Sequence, residues 1–269
     1  MFSVNFDTDF SGPQLPFVIC GVKKQLIAIS CRYVRELVIL PRVTRLPDMS
    51  SNVRGVFNNR GAILPVLDLR ARLSMESSEK ELDDLITLLH QREEDHKNWM
   101  NELHNSIIEN RPFKLTTDPH KCAFGKWYDS FTTANYILSL QLEKFDAPHK
   151  MIHSIGSTVE KLKSAGKSDE AVKVIENARS TKLKELMSLF EETRQLLKRT
   201  HREMAVITEI SGRNSAIAVD RVESVEPIDA EKIENPPSDL MSREDNIISK
   251  IGRRNSSGQF VYILNPHNL

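Results

Sequence analysis

Cysteine is scarce in this chain of 269 residues: Cys20, Cys31 and Cys122 are the only three. Three widely spaced thiols do not make the disulfide framework of a small secreted domain. Cys20 and Cys31 lie in strand-like apolar runs and read as small buried hydrophobes. Net charge is absent as well, with 37 Lys and Arg balanced by 37 Asp and Glu, so nothing electrostatic argues for a nucleic-acid partner. The balance is uneven along the chain. Residues 1–75 carry 10 basic against 5 acidic side chains, and residues 201–269 carry 8 against 11, a bias that fits mutual packing and a docking surface equally well. No apolar run approaches the roughly 20 residues that span a bilayer, so no direct membrane insertion is expected. The start, Met-Phe-Ser-Val-Asn-Phe-Asp-Thr-Asp-Phe, is acidic and mixed, unlike a signal peptide, and a cytoplasmic location is the expectation. Also missing are a His-Glu-x-x-His word, a glycine-rich phosphate loop and a Gly-x-Ser-x-Gly elbow.

What is present is a sequence that changes character twice. From Phe17 to Leu73 it alternates apolar runs with turn residues. Phe17 to Cys20 and Gln25 to Ser30 flank Lys23-Lys24 as a hairpin, Tyr33 to Leu40 follows as a further strand, and Gly55 and Gly61 stand where strands turn. Pro65 interrupts the run Ala62 to Arg70 and predicts an edge strand or a bulge there. From Glu76-Ser-Ser-Glu to about Thr200 the pattern is helical. Leu82, Leu85, Ile86 and Leu89 share a face, Trp99 and Leu103 stand four apart, and Leu183, Leu186, Leu189, Phe190, Leu196 and Leu197 line a last long helix. Ser168 or Asp169 is the expected cap of the helix after Gly166. Strands return from Met204, with Ser211-Gly-Arg-Asn as a turn and two closing strands at Asn246 to Gly252 and Gln259 to Leu264. The expected architecture is therefore α+β in two domains: a β domain in two parts, 1–75 and 201–269, split by an inserted helical domain, 76–200. Insertion is tolerated where entry and exit lie close together, which predicts that Leu73 and Met204 are neighbours.

The insert contains a sparse set of metal-capable side chains: His96, His120, Cys122, His149 and His153. His149 and His153, four apart after Pro148, project from one helix face. Pro119 and Gly125 bracket Cys122 in a turn, and His96 lies in a helical stretch. An isolated i, i+4 histidine pair is more often solvated or packed than a ligand pair, but three imidazoles and one thiolate would complete a closed tetrahedral zinc site. These words, with Cys-Ala-Phe-Gly-Lys-Trp-Tyr at Cys122 to Tyr128 and Pro-His-Lys-Met-Ile-His at Pro148 to His153, resemble the chemoreceptor zinc-binding (CZB) domain. That resemblance implies a small helical bundle with His96, Cys122, His149 and His153 as Zn2+ ligands, leaving His120 as a surface residue. It also implies sensing of zinc or of oxidants, with Cys122 as the redox-sensitive ligand: sulfenic acid formation or metal release would remove one tether.

The flanks are similar to a second family. Val53-Arg-Gly-Val-Phe-Asn-Asn-Arg-Gly-Ala-Ile-Leu-Pro-Val-Leu-Asp-Leu-Arg, Leu46-Pro-Asp-Met and Ala218-Val-Asp-Arg-Val resemble the CheW adaptors, with Asn59 where that family usually has leucine. The resemblance implies two small, five-stranded, barrel-like β subdomains that couple chemoreceptor cytoplasmic tips to a CheA-type histidine kinase and catalyse nothing. Asn59, Arg60 and Gly61, at a turn tip, are the expected partner-binding residues. Arg60 there is either simply solvated or an anchor for a partner, since arginine is enriched at interface hot spots. Val34, Val38 and Val43 read as core. Helical bundles of this kind often pair, which leaves a homodimer through the insert open. Two other readings compete: a zinc that only holds helices together, and a zinc hydrolase, for which Glu93, Glu94 or Asp95 would have to supply a base.

Overall fold

A computed structural model describes residues 14–133, 135–237 and 247–268. Asn246, Ser238 and almost all of the segment 1–15 lie outside the described residues. The chain divides into two compact units, one running to Ser78 and resuming at Arg202, the other extending from Glu79 to His201.

In the first unit the strands before the helices are β1 (Gln14–Val22), β2 (Gln25–Ser30), β3 (Val34–Ile39), β4 (Val53–Asn59) and β5 (Ala62–Asp68), with a short α1 (Leu69–Arg72) behind them. After the helices come β6 (Met204–Ile210), β7 (Arg213–Val219), β8 (Arg221–Asp229), β9 (Ile233–Glu234), β10 (Ile248–Arg253) and β11 (Phe260–Leu264). Among the described residues they form a six-stranded sheet, β8-β1-β2-β11-β10-β9, and a five-stranded sheet, β3-β6-β7-β5-β4. Two five-stranded halves were the expectation, and the two-residue β9 makes the difference. Each sheet takes strands from both sides of the insert. Neither flank is a domain by itself.

The alternation of each strand decides where its side chains go. Val18, Cys20, Ile27 and Ile29 of the first sheet meet Val34, Val206, Ile217 and Val219 of the second in one shared core. Cys20 and Cys31 lie in that core, where burial pushes their thiols up to about 12 and about 11. Val34 is fully buried, and Val38 and Val43 pack against the second sheet's own core. Leu73 and Met204 both pack against this shared core.

Three sequence expectations change here: a strand across Ser215 to Val222, an edge or bulge at Pro65, and a turn of four residues at Ser211 to Asn214. The run through Ala218 and Val222 is not one strand: the chain leaves the second sheet after Val219 and enters the first as β8, antiparallel to β1. Asp220 pins the crossing, accepting from Arg70 Nε and Nη2 at 2.6 Å each and from the Lys23 amide at 2.6 Å. Pro65 sits in an interior strand rather than an edge. It opposes Val56, whose amide and carbonyl both bond Thr44 on the far side, so its missing N–H points away from β4. On the other side β7 pairs only from Val66 onward. The bulge is instead on β4, between Val53 and Gly55. The turn after β6 is also shorter than expected. Ser211 and Gly212 take φ of +52° and +76°, and Arg213 and Asn214 already pair with Ile210 and Glu209.

The second unit is helical: α2 (Ser78–Ile108), α3 (Ala123–Ser130), α4 (Tyr136–Glu143), α5 (Asp146–Ser164), α6 (Ser168–Ala178) and α7 (Lys184–Thr200), with a π-helical turn, Arg179–Leu183, joining the last two. Its core gathers Leu89, Trp99, Met100, Leu103, Phe124, Phe145, Ile152 and Phe190. Neither Ser168 nor Asp169 caps α6. Lys167 occupies that position without a side-chain capping bond, while Asp169 and Glu170 place negative charge in the first turn. A buried ion pair, Arg194 Nη1 to Glu93 Oε2 at 2.6 Å, fastens α7 to α2.

Candidate metal centre

Three stretches of helical backbone bring four side chains to one point. His96 comes from the middle of α2, His149 and His153 from successive turns of α5, and Cys122 from the N-cap of α3. Their ligand-capable atoms all lie within 4.8 Å of one another. His96, His149 and His153 are buried, and Cys122 is half-buried.

Local chemistry sets each of these side chains. Cys122 holds extended backbone at the N-cap, and its Sγ accepts from the Gly125 amide at 3.2 Å. A thiolate there gains from the amides at the helix start. Gly125 cannot carry a side chain, because a Cβ would overlap the Pro119 carbonyl oxygen. The Pro119–Gly125 bracket thus folds into a tight loop that fixes Cys122. On α2, His96 Nδ1 bonds the Arg92 carbonyl at 2.7 Å, so that nitrogen carries the proton and Nε2 keeps its lone pair. His149 Nε2 stands 3.2 Å from Cys122 Sγ.

Two observations test the fit to a metal ion. His96 Nε2 and both ring nitrogens of His153 are buried without a hydrogen-bond partner of ordinary geometry. Buried polar atoms are rarely left so, and here they belong to rings that each bring one ligand-capable atom to the same cluster, which suits a cation. The protonation states agree. Burial, together with the charges of neighbouring His96 and His153, takes His149 down to about 3, and burial with neighbouring His96 takes His153 to about 4. Burial likewise lowers His96 despite the Arg92 carbonyl, so all three imidazoles are neutral near pH 7. The Cys122 thiol is raised by burial, against the pull of the Gly125 and Phe124 amides. Three neutral nitrogens and one sulfur are the donors of a closed zinc site. Aromatic rings wall it in, with Phe124 4.9 Å from His149 and Trp99 5.0 Å from His153, centre to centre. One side is open: a pocket of about 440 Å³, lined by Asp95, Trp99, Leu115 and Lys121, reaches His96, Cys122 and His153.

The other residues singled out in the sequence fall elsewhere. His120 is exposed and pairs with Asp129 at 2.9 Å, outside the cluster. Glu93 is engaged by Lys97 and Arg194, and Asp95 by Arg92, whereas Glu94 is exposed and pairs with Lys97. In the β unit, Asn59 faces Ala62 across the β4–β5 hairpin, leaving Arg60 and Gly61 as a two-residue loop with φ of +53° and +94°. Both tip side chains turn inward onto one carboxylate: Arg60 Nη2 meets Glu36 Oε1 at 2.6 Å, and Asn59 Nδ2 donates to Oε2 at 3.3 Å. Sequence reasoning missed Glu36, since a bond between β3 and a hairpin tip leaves no periodic trace. It also missed Gly156 on α5, where a Cβ would sit 2.6 Å from Thr117 Cγ2 and 3.3 Å from the Trp99 ring.

Fold and cluster together define a β domain, split in sequence, that carries a helical unit with a His/Cys cluster able to hold a metal ion. The family model of the CheW-like domain matches residues 16–97 and 179–269, and that of the chemoreceptor zinc-binding domain matches residues 96–159 between them. The chain belongs to the CheW-like family, with a CZB domain inserted in it. The chemotaxis protein CheW of Bacillus subtilis (strain 168) is 32% identical over 107 residues, which cover 38% of this chain and 69% of that protein. A crystal structure of the scaffolding protein TtCheW from Thermoanaerobacter tengcongensis aligns with a TM-score of 0.44 at 13% identity, over 94% of this chain and 89% of that one. Among the described residues no helix is long and apolar enough to cross a membrane.

Proposed function

We propose that this protein is a cytoplasmic chemosensory adaptor in which a zinc ion, held by His96, Cys122, His149 and His153, makes the insert responsive to zinc or to oxidants. The observation that carries this reading is the convergence of three imidazoles and one thiol within 4.8 Å, with buried ring nitrogens left without partners. Bound zinc would supply a Lewis-acid tie between α2, α3 and α5. The chain's own residues do the rest. The Arg92 carbonyl orients His96, the Gly125 amide steadies Cys122, and the aromatic wall keeps the imidazoles neutral. Loss of the sulfur ligand removes the only tether to α3. The pocket beside Cys122 favours a responsive site over a purely structural one, because it gives a solute a way to the sulfur. A hydrolytic zinc is disfavoured by four protein donors, which fill a tetrahedral shell, and by the engagement of Glu93 with two cations.

The β domain is the output half of this reading. It would bind a CheA-type histidine kinase and chemoreceptor cytoplasmic tips, with Asn59, Arg60 and Gly61 at the contact and Glu36 holding the tip in shape. The exposed Tyr136, Ile137 and Leu140 of α4 are the apolar surface that a second copy of the insert would cover. The test is a reconstituted receptor–kinase assembly in buffered zinc, comparing wild type with Cys122→Ala. Kinase output that follows zinc in the wild type but not in the variant is expected. Output that ignores zinc in both, with the insert folded and loaded, would leave the zinc purely structural.

A further inference from the structure

A ligating imidazole needs an acceptor for its second nitrogen, which fixes the tautomer and the ring. For His96 that acceptor is the Arg92 carbonyl. For His153 no ordinary hydrogen bond exists, although its ring is almost wholly buried. The group that faces it is the Thr116 carbonyl, which lies beside the same pocket. That carbonyl is held by Trp99, whose indole Nε1 donates to it at 2.8 Å. The Trp99 ring also lies 5.0 Å from the His153 ring. A second, independent observation comes from α5 itself. Gly156, less than one turn beyond His153, leaves a notch that Thr117 and the edge of Trp99 fill. The segment around Thr116 is thus clamped between α2 and α5 at the level of His153.

Building on the zinc reading above, we infer that Trp99 is a positioning residue for the metal centre. Its indole N–H holds the Thr116 carbonyl where that carbonyl accepts from the ring nitrogen of His153 that does not meet the metal. The carbonyl has two lone pairs and can serve both donors.

The test compares zinc affinity by chelator competition in wild type, Trp99→Phe and Phe113→Leu. Phe113 packs on Trp99 edge to face at 5.2 Å, so its replacement loosens the same packing while leaving the indole N–H in place. Trp99→Phe is expected to bind zinc about 10- to 100-fold more weakly, the usual cost of losing an outer partner, and Phe113→Leu to bind as wild type. Histidine ¹⁵N resonances of the zinc-loaded wild type supply a readout that does not depend on the variant folding. His153 should show one metal-bound nitrogen and one N–H protected from exchange with water. Equal affinity in Trp99→Phe, an equal loss in Phe113→Leu, or a freely exchanging His153 N–H would overturn the inference and leave the zinc reading intact. A wild type that takes up no zinc would overturn both.

Discussion

Replacing Arg194 by methionine should cost the helical unit about 3 kcal/mol, at the lower end of the roughly 3–5 kcal/mol seen when one partner of a buried ion pair is removed. Both side chains of the Glu93–Arg194 pair are only 9% exposed, and the charged atoms are 2.6 Å apart. The variant leaves the Glu93 carboxylate in the packed interface between α2 and α7. The lower end applies because Lys97 Nζ, 2.7 Å from Glu93 Oε1, remains as a partially exposed counter-charge. The helical unit spans about 120 residues. At about 2.1 cal/mol/K per residue its unfolding entropy is about 0.25 kcal/mol per degree, so Tm should fall by about 12 °C. Far-UV circular dichroism at the helical minimum reads this unit, and urea titration at fixed temperature gives the same free energy independently. Replacing both partners, Glu93→Leu with Arg194→Met, should restore part of the loss, because an apolar pair of similar volume avoids the desolvation cost. A fall of less than about 4 °C would correspond to the roughly 1 kcal/mol of a surface pair and would refute the claim that this contact bolts α7 to α2 at the level of His96.

Acid should act on the same pair. Burial alone would raise the Glu93 carboxyl, but the Lys97 and Arg194 cations hold it below its ordinary value. Its contribution is therefore fully present above the unfolded carboxyl pKa of about 4.3 and is lost as pH falls through the lower, folded value. Circular dichroism from pH 6 to pH 2 should show a wild-type decline in that window that Glu93→Gln lacks. Gly125→Ala should abolish tight zinc binding, measured by chelator competition, because the new Cβ displaces the Pro119 carbonyl and with it the loop that presents Cys122. On the proposed function, Glu36→Ala should weaken binding of a CheA-type kinase, measured by calorimetry, by about 1 kcal/mol through loss of the charge-assisted bond that shapes the hairpin tip. Unchanged affinity would place the partner contact elsewhere.

The extent to which the sequence speaks depends on how local each cause is. His149 and His153 stand out because four residues is one helical turn, and Cys122 because proline and glycine bracket it. Both signals are written within a single segment. The continuous apolar runs of β1, β2 and β6 are equally local, and so is the helical stripe of Leu82 to Leu89. What could not be read arises between segments. Arg194 and Glu93 lie 101 positions apart, and Asp220 and Arg70 lie 150 apart, so no periodicity connects them. Pro65 reads as an edge or a bulge from its missing N–H alone. Its actual tolerance depends on the register with Val56 and on where β7 begins to pair. Gly156 looks like any helical glycine until Trp99 and Thr117 are placed against it. The division of the last helical stretch by a π-helical turn at Arg179–Leu183 likewise has no composition signature.

The most direct test of the metal centre is zinc K-edge X-ray absorption on the purified, zinc-loaded protein, with zinc content measured on the same sample. About one zinc per chain, with a single sulfur near 2.3 Å and three nitrogens near 2.0–2.1 Å, is the result that His96, Cys122, His149 and His153 predict. A shell without sulfur, or zinc far below one per chain after reconstitution, would contradict it.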